Sequence, residues 1–275
     1  MPSYTDALGR MLELASPPER ILSLVPSLTE ALFAFGLAER VAGVTRYCVE
    51  PAEAGFKPKV GGTKNVDIAH AVAIQPDLVL ANAEENTRED VDALVGAGLA
   101  VFVTYPRTVA AAIEELRLLA EMTGSVAAAA PIVAAADEAL ALGKRANKGR
   151  TPVRAFCPIW RNPWMTIGPD TYMSDFLRVC GADNVYGDSP DRYPAIELGD
   201  VAERRPEVAL LPDEPYRFGE KHIAEVIEKL GDVRIHLVDG KSLCWYGPRI
   251  GPALAEVQSL LWGDARRVNE DQAMK

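Results

Sequence analysis

Short apolar, β-branched runs alternate with stretches of helical periodicity along most of this chain, and that alternation constrains its fold more than any other feature. Residues 21–25 (ILSLV), 41–45 (VAGVT), 77–82 (DLVLAN) and 100–104 (AVFVT) read as strands. DLVLAN is almost unbroken in apolar residues, the mark of a strand covered on both faces, as in a parallel sheet flanked by helices. Helices are expected between the strands. One opens at Pro26-Ser27-Leu28-Thr29-Glu30, with Ser27 as N-cap and Glu30 completing a capping box, and stops at Gly36. Others follow at 65–75, with Asn65 as cap, at 88–95 and at 108–122.

Residues 125–148 break the pattern: they are alanine-rich, hold no strand candidate, and place Pro131 where a helix would begin or kink. Strand and helix then alternate again, with strands at 153–160, 207–211 and 234–238 and helices at 172–179, 220–230 and 251–261. The fold class expected is therefore α/β: two lobes with mainly parallel central sheets, 1–124 and 150–275, joined by one long backbone helix at 125–149. A single doubly wound sheet, with that helix as an ordinary crossover, is the alternative. The charge-free run between Glu121 and Asp137 reads as too short and too weakly apolar to span a bilayer.

With 29 basic and 39 acidic residues the net charge is −10, which argues against duplex nucleic acid as a partner. The first twenty residues lack a secretory pattern, so the sequence as written reads as cytoplasmic, or as periplasmic or cell-surface if a leader precedes it. Cys48, Cys157, Cys180 and Cys244 have no CxxC spacing and read as buried, reduced thiols.

In parallel α/β sheets ligands lie beyond the carboxyl ends of the strands. Those positions are rich in aromatic and cationic residues here: Arg46-Tyr47 and Tyr105-Pro106-Arg107 in the first half, and Trp160-Arg161-Asn162-Pro163-Trp164, Tyr216-Arg217-Phe218 and Trp245-Tyr246-Gly247-Pro248-Arg249 in the second. Flat faces beside planar cations suit a large ligand with π faces and a carboxylate, amide or phosphate periphery. Arg46, Tyr47, Arg107, Trp160, Arg161, Trp164, Tyr216, Arg217, Trp245, Tyr246 and Arg249 are the expected ligand-lining residues, and no catalytic residue is expected. Gly61-Gly62 lacks the spacing of a nucleotide loop and reads as a place where backbone approaches a ligand or the other lobe. Two other chemistries compete. Cys48 beside Arg46 would be a lowered-pKa thiol and Glu84-Glu85 an acid/base pair, in an enzyme or metallochaperone acting on a chelate. His70, His222 and His236 would make a direct zinc or manganese site.

The ordered motifs RILSLVPSLTEALFAFGLAERVAGVT and KVGGTKNVDIAHAVAIQPDLVLAN, followed by the alanine-rich helix and the second lobe, resemble the helical-backbone metal receptor superfamily. These are the substrate-binding proteins serving ABC importers of cobalamin, haem and iron–siderophores. The resemblance runs from about Thr5 to Trp262. It implies a monomeric, non-enzymatic receptor without intrinsic cofactor, holding a corrinoid or related metal chelate in an inter-lobe cleft with little hinge motion. It also implies an ABC permease as partner, contacted by one acidic residue per lobe; by motif order these are Asp67 in NVDIAH and Asp200 in ELGDVAERRP. Cobalamin receptors place a tryptophan after the paired glycines where this chain has Thr63-Lys64, so the stacking face is expected from Trp160, Trp164 and Trp245.

Overall fold

The computed structural model describes residues 1–262; positions 263–275 of the expected C-terminal lobe lie outside the described residues. Two compact units form. The first comprises Met1–Glu138 together with Trp245–Gly251, and the second comprises Ala139–Cys244 together with the described residues from Pro252 onward.

The first unit opens with an antiparallel pair, β1 (Ser3–Thr5) and β2 (Met11–Glu13). It continues through β3 (Ile21–Ser23), α1 (Pro26–Ala34), β4 (Val41–Val44), β5 (Gly61–Gly62), β6 (Asn65–Val66), α2 (Ile68–Ala73), β7 (Leu78–Asn82), α3 (Arg88–Gly96), β8 (Val101–Thr104) and α4 (Val109–Thr123), and enters α5 (Val126–Ala146). Its main sheet runs β4-β3-β7-β8, every pair parallel. All residues of β3 and β7 are buried, as the apolar sequence requires. Each leucine so covered contributes about 1.5–3 kcal/mol relative to exposure.

Two expected caps are corrected. Helix α1 begins at Pro26, whose fixed φ and missing N–H suit a first helical position, so Ser27 is a buried residue inside the helix and caps nothing. In α2 the N-cap is Asp67, whose carboxylate accepts the His70 N–H at 3.0 Å, while Asn65 is taken up by β6. Thr108 caps α4 through the Ala111 N–H at 3.0 Å, and Gly124 ends it with φ +69°.

Helix α5 runs past the charge-free stretch to take in Asp137 and Glu138; it is 21 residues long, and an 18-residue window of it has mean hydropathy 1.5, enough by length and composition to cross a membrane. Within the first unit Asp137 on this helix pairs with Arg117 of α4, and Val133 and Ala136 are buried.

The second unit contains β9 (Val153–Phe156), β10 (Pro158–Trp160), β11 (Trp164–Thr166), α6 (Tyr172–Cys180), β12 (Ala182–Asn184), β13 (Ala195–Ile196), α7 (Leu198–Glu203), β14 (Val208–Pro212), α8 (Glu220–Leu230), β15 (Arg234–Val238) and α9 (Gly240–Cys244). Helix α10 (Ile250–Trp262) lies in this unit from Pro252. The parallel sheet runs β12-β9-β14-β15. The single strand expected over 153–160 is in fact two. At Cys157 the chain leaves the parallel sheet and enters a separate antiparallel sheet, β10-β11-β13.

Both main sheets have the same order, second-first-third-fourth, and the likeness extends to side chains. Val66-Asp67 before α2 corresponds to Ile196-Glu197 before α7, and Pro76-Asp77 before β7 to Pro206-Glu207 before β14. Arg20 donates from Nη2 to the Ile74 carbonyl at 2.6 Å and from Nε to the Ile74 and Gln75 carbonyls at 3.2 Å. Arg154 does the same to Arg204 at 2.6 and 3.2 Å and to Arg205 at 3.3 Å. Gln75 and Arg205, at φ +52° and +51°, end the paired helices alike. In each unit a guanidinium thus satisfies the orphan carbonyls of a short helix and complements its negative end. In each sheet the order reverses between first and third strands, at β3/β7 and at β9/β14, and the crevice for a ligand lies beyond such a reversal.

Candidate functional site

In the second unit the reversal between β9 and β14 sets the β10–β11 turn beside the loop after β14. Trp160 meets Tyr216 edge-to-face, with ring centroids 5.6 Å apart and planes at 72°. Behind them Tyr216 packs on Phe218 at 4.8 Å, and Phe218 stacks on Trp164 at 5.5 Å and 16°. Trp164 and Phe218 are buried among Phe156, Tyr186, Ile196 and Val226, whereas Trp160 is 43% exposed and Arg217 is exposed. The front of the cluster is therefore a platform and the back its foundation. Arg161 makes a two-toothed ion pair with Glu225 of α8, at 2.9 and 3.2 Å, with its guanidinium 5.9 Å from the Trp164 ring centroid. That pair holds the turn against the helix.

His222 lies under this platform, 3% exposed. Its Nδ1 accepts the Gly219 N–H at 3.0 Å, and its Nε2 is 3.5 Å from the Tyr216 hydroxyl. Burial pushes its pKa below the ordinary histidine value, with Lys221 adding to the effect.

In the first unit Arg46 and Tyr47 follow β4, both exposed, Tyr47 at 55%. They lie over the paired glycines: a Cβ on Gly62 would meet Asn65 Oδ1 at 2.5 Å, Tyr47 Cε2 at 3.2 Å and Arg46 Nε at 3.5 Å. At Gly61, φ +95° and the Asn65 carbonyl 2.5 Å from a would-be Cβ require glycine. The close approach anticipated at this pair is thus made by its own β5–β6 turn and by the Arg46-Tyr47 segment. Arg107, exposed after β8, has its guanidinium 5.5 Å from the Tyr105 ring centroid.

The crevice beyond β3 and β7 receives the segment Trp245–Gly251, which belongs to this unit although its neighbours on both sides in sequence belong to the other. Trp245 and Tyr246 are buried. Gly247 lies on α1, where a Cβ would stand 3.2 Å from the Ser27 carbonyl. Arg249 pairs with Glu30 of α1, Nε to Oε2 and Nη2 to Oε1 both at 2.9 Å. Burial raises the Tyr246 hydroxyl well above the usual tyrosine value, Glu115 adds to the rise, and the Thr104 and Ser27 hydroxyls oppose it. Glu115 accepts the Tyr105 N–H at 3.0 Å through Oε1, while its Oε2 is buried without a hydrogen-bond partner. Burial pushes its carboxyl from 4.5 up to about 7.

The expected lining residues thus divide. Trp160, Tyr216 and Arg217 are brought together on one surface and Arg46 and Tyr47 on another, with Arg107 exposed after β8. Trp164, Trp245 and Tyr246 are packed inside, and Arg161 and Arg249 are committed to carboxylates. Glu225 and Glu115 escaped sequence reasoning because their partners Arg161 and Tyr246 lie far along the chain, whereas Phe218 and His222, noted there as a strand-end aromatic and a metal ligand, instead support the platform from behind.

The competing chemistries fare differently. Burial raises the Cys48 thiol, which sits 3.2 Å from Thr45 Oγ1, and this corrects the expectation that Arg46 would lower it. Glu84 and Glu85 open the turn after β7, where the Asn82 side-chain carbonyl accepts both of their N–H groups at 2.8 and 3.1 Å. Among the described residues no group of three or more histidine, cysteine or acidic side chains is placed to hold a metal. That corrects the three-histidine site: His70 is exposed on α2, His222 is engaged as described, and His236 lies within β15. The internal likeness also bears on the exposed acidic residues at the two short helices. The counterpart of Asp67 is Glu197, each exposed and each immediately before its short helix, whereas Asp200 lies within the first turn of α7.

Residues 21–230 match the family model described as periplasmic binding protein. The chain is 26% identical over 198 residues to the vitamin B12-binding protein of Photorhabdus laumondii, covering 72% of each, and 26% identical over 206 residues to that of Vibrio parahaemolyticus, covering 74% and 75%. Among solved structures it resembles the periplasmic vitamin B12-binding protein of Vibrio cholerae, with TM-score 0.77, 21% identity, and 89% of this chain and 97% of that one covered. It also resembles a periplasmic haem-binding protein of Roseiflexus, with TM-score 0.78, 21% identity, and 89% and 98% covered. At these identities the solved structures establish the fold: mixed α/β with parallel central sheets.

Proposed function

This chain belongs to the periplasmic binding protein family, a family of substrate-binding proteins, and from that premise we propose that it binds a corrinoid such as cobalamin, or a haem-like metal chelate, without turning it over. The observation that carries this reading is the Trp160–Tyr216 pair, whose rings meet edge-to-face beyond the β9/β14 reversal with an exposed arginine, Arg217, beside them. Such a surface offers apolar area to a macrocycle and a planar cation to its amide or carboxylate periphery. Arg46, Tyr47 and Arg107 offer the same chemistry at the carboxyl ends of β4 and β8 in the first unit. Relatives named for vitamin B12 binding, and fold neighbours named for vitamin B12 or haem, support this ligand class.

Titration calorimetry and difference absorbance with cobalamin, cobinamide, haem and a ferric siderophore test the proposal. One of them should bind stoichiometrically at micromolar concentration, and Trp160→Ala should weaken it about tenfold, the scale of one lost aromatic contact. No binding of any of the four would overturn it. As a receptor for an ABC permease, the chain would present Asp67 and Glu197, equivalent in the two units, to cations on that partner.

A further inference from the structure

Tyr216 is held from behind. His222 is the third residue of α8, and its ring folds back so that Nδ1 accepts the N–H of Gly219, the residue before the helix. An acceptor at Nδ1 fixes the tautomer with hydrogen on Nε2, the nitrogen that faces the Tyr216 hydroxyl at 3.5 Å. The same ring meets Tyr216 edge-on at 5.6 Å and Phe218 at 5.3 Å. Tyr216 in turn meets Trp160. One buried imidazole therefore fixes both ends of the loop from Tyr216 to Gly219, and through it the exposed ring.

We propose that His222 is a positioning residue for the aromatic platform and a pH-sensitive hold on it: neutral imidazole keeps Tyr216, and with it Trp160, in the ligand-competent arrangement, and protonation releases them. This rests on the platform being the ligand surface. Protonation places a second N–H on Nδ1, directly opposed to the Gly219 N–H, so the bracket between Gly219 and Tyr216 is lost and an imidazolium stands in a buried site. The charged and titratable surroundings favour the neutral ring on balance. Lys221 on its own helix and Arg161 from the β10–β11 turn disfavour the cation, Glu225 one turn along α8 favours it, Tyr216 is its neutral neighbour, and α7, packed on α8, carries Asp200 and Glu203. Because the folded-state pKa lies below the unfolded value of 6.5, the hold is intact at neutral pH and weakens as pH falls below that value.

Two variants separate positioning from mere packing. Glutamine at the third helical position reaches back to the N–H before the helix and never titrates, so His222→Gln keeps the bracket, whereas His222→Leu removes it. With cobalamin as probe, wild-type affinity should be constant from about pH 7.5 to 6.5 and then fall, by at least about twofold once the His222 imidazole is half protonated, in step with its titration followed by NMR. His222→Gln should bind within about twofold of wild type at pH 7.5 and hold that affinity at pH 5.0. His222→Leu should bind several-fold more weakly at both. Without ligand, the Trp160 contribution to emission, defined by its loss in Trp160→Phe, should change with the His222 imidazole titration followed by NMR, and should stay constant with pH in His222→Gln. A pH profile unchanged in His222→Gln, or a Trp160 signal indifferent to the imidazole titration, overturns the proposal. The ligand-free measurement judges the hold by itself, so failure of cobalamin to bind, which counts against the ligand class, remains distinguishable.

Discussion

Glu115 places a specific demand on the pH dependence of folding. Its carboxyl is pushed from 4.5 to about 7 because burial disfavours the ionised form, with only the Tyr105 N–H stabilising the charge. Below pH 4.5 the carboxyl is protonated in both folded and unfolded chains, and its contribution to stability is fully present. As pH rises from 4.5 towards 7 the unfolded chain releases the proton while the folded protein retains it. Stability then falls by about 1.4 kcal/mol per pH unit, and above pH 7 the contribution is gone. The whole loss is at most about 3 kcal/mol. Glu115→Gln keeps the size of the side chain and an oxygen for the Tyr105 N–H but cannot ionise. Urea unfolding of both proteins at intervals from pH 4.5 to 8 isolates this group, since every other titration cancels in the difference. The variant should match the wild type near pH 4.5 and exceed it by up to about 3 kcal/mol at pH 8, with most of the divergence between pH 5 and 7. Stability curves that stay parallel across that range would show that the carboxyl ionises freely, and the account of the crevice beneath Tyr246 would fail.

Arg20→Met and Arg154→Met should each cost about 1–3 kcal/mol by orphaning helix-end carbonyls, with the two losses alike because the two geometries are alike; denaturant titration measures both. Gly168→Ala would set a Cβ 2.0 Å from the Asp191 carbonyl oxygen, and the backbone shift should cost about 1–3 kcal/mol or more, read as a lowered Tm. Arg249→Met and Glu30→Gln, combined in a double-mutant cycle, should show a coupling of about 1–3 kcal/mol, because this two-toothed pair is three-quarters or more shielded from solvent on both sides; additive losses would mean that the Trp245–Gly251 segment is held by burial alone.

Much of the fold was legible because it is periodic. DLVLAN has no polar face to turn outward, so a strand covered on both sides was the one arrangement that suited it, and β7 is buried throughout. The strands at 234–238 and the helix at 220–230 were read to the residue for the same reason. Local readings failed where two rules competed. Proline at the first turn overrode Ser27 as a cap, and the break at Cys157 was hidden because VRAFCPIW is as apolar where it leaves the sheet as where it lies within it.

The sequence by itself determined which residue types gather at strand ends, since strand boundaries follow from local pattern and aromatic and arginine side chains follow them directly. Only the tertiary structure decided which of those side chains face outward. Trp160 and Trp164 stand four residues apart in one turn, yet one is half-exposed and the other stacks on Phe218. Trp245, Tyr246 and Arg249 follow a second-unit helix and yet belong to the first unit, where Tyr246 and Arg249 meet Ser27 and Glu30 of α1. Burial is a property of what lies opposite, and for each of these residues what lies opposite comes from far along the chain: Phe218 for Trp164, Glu30 for Arg249, and Ser27, Thr104 and Glu115 for Tyr246.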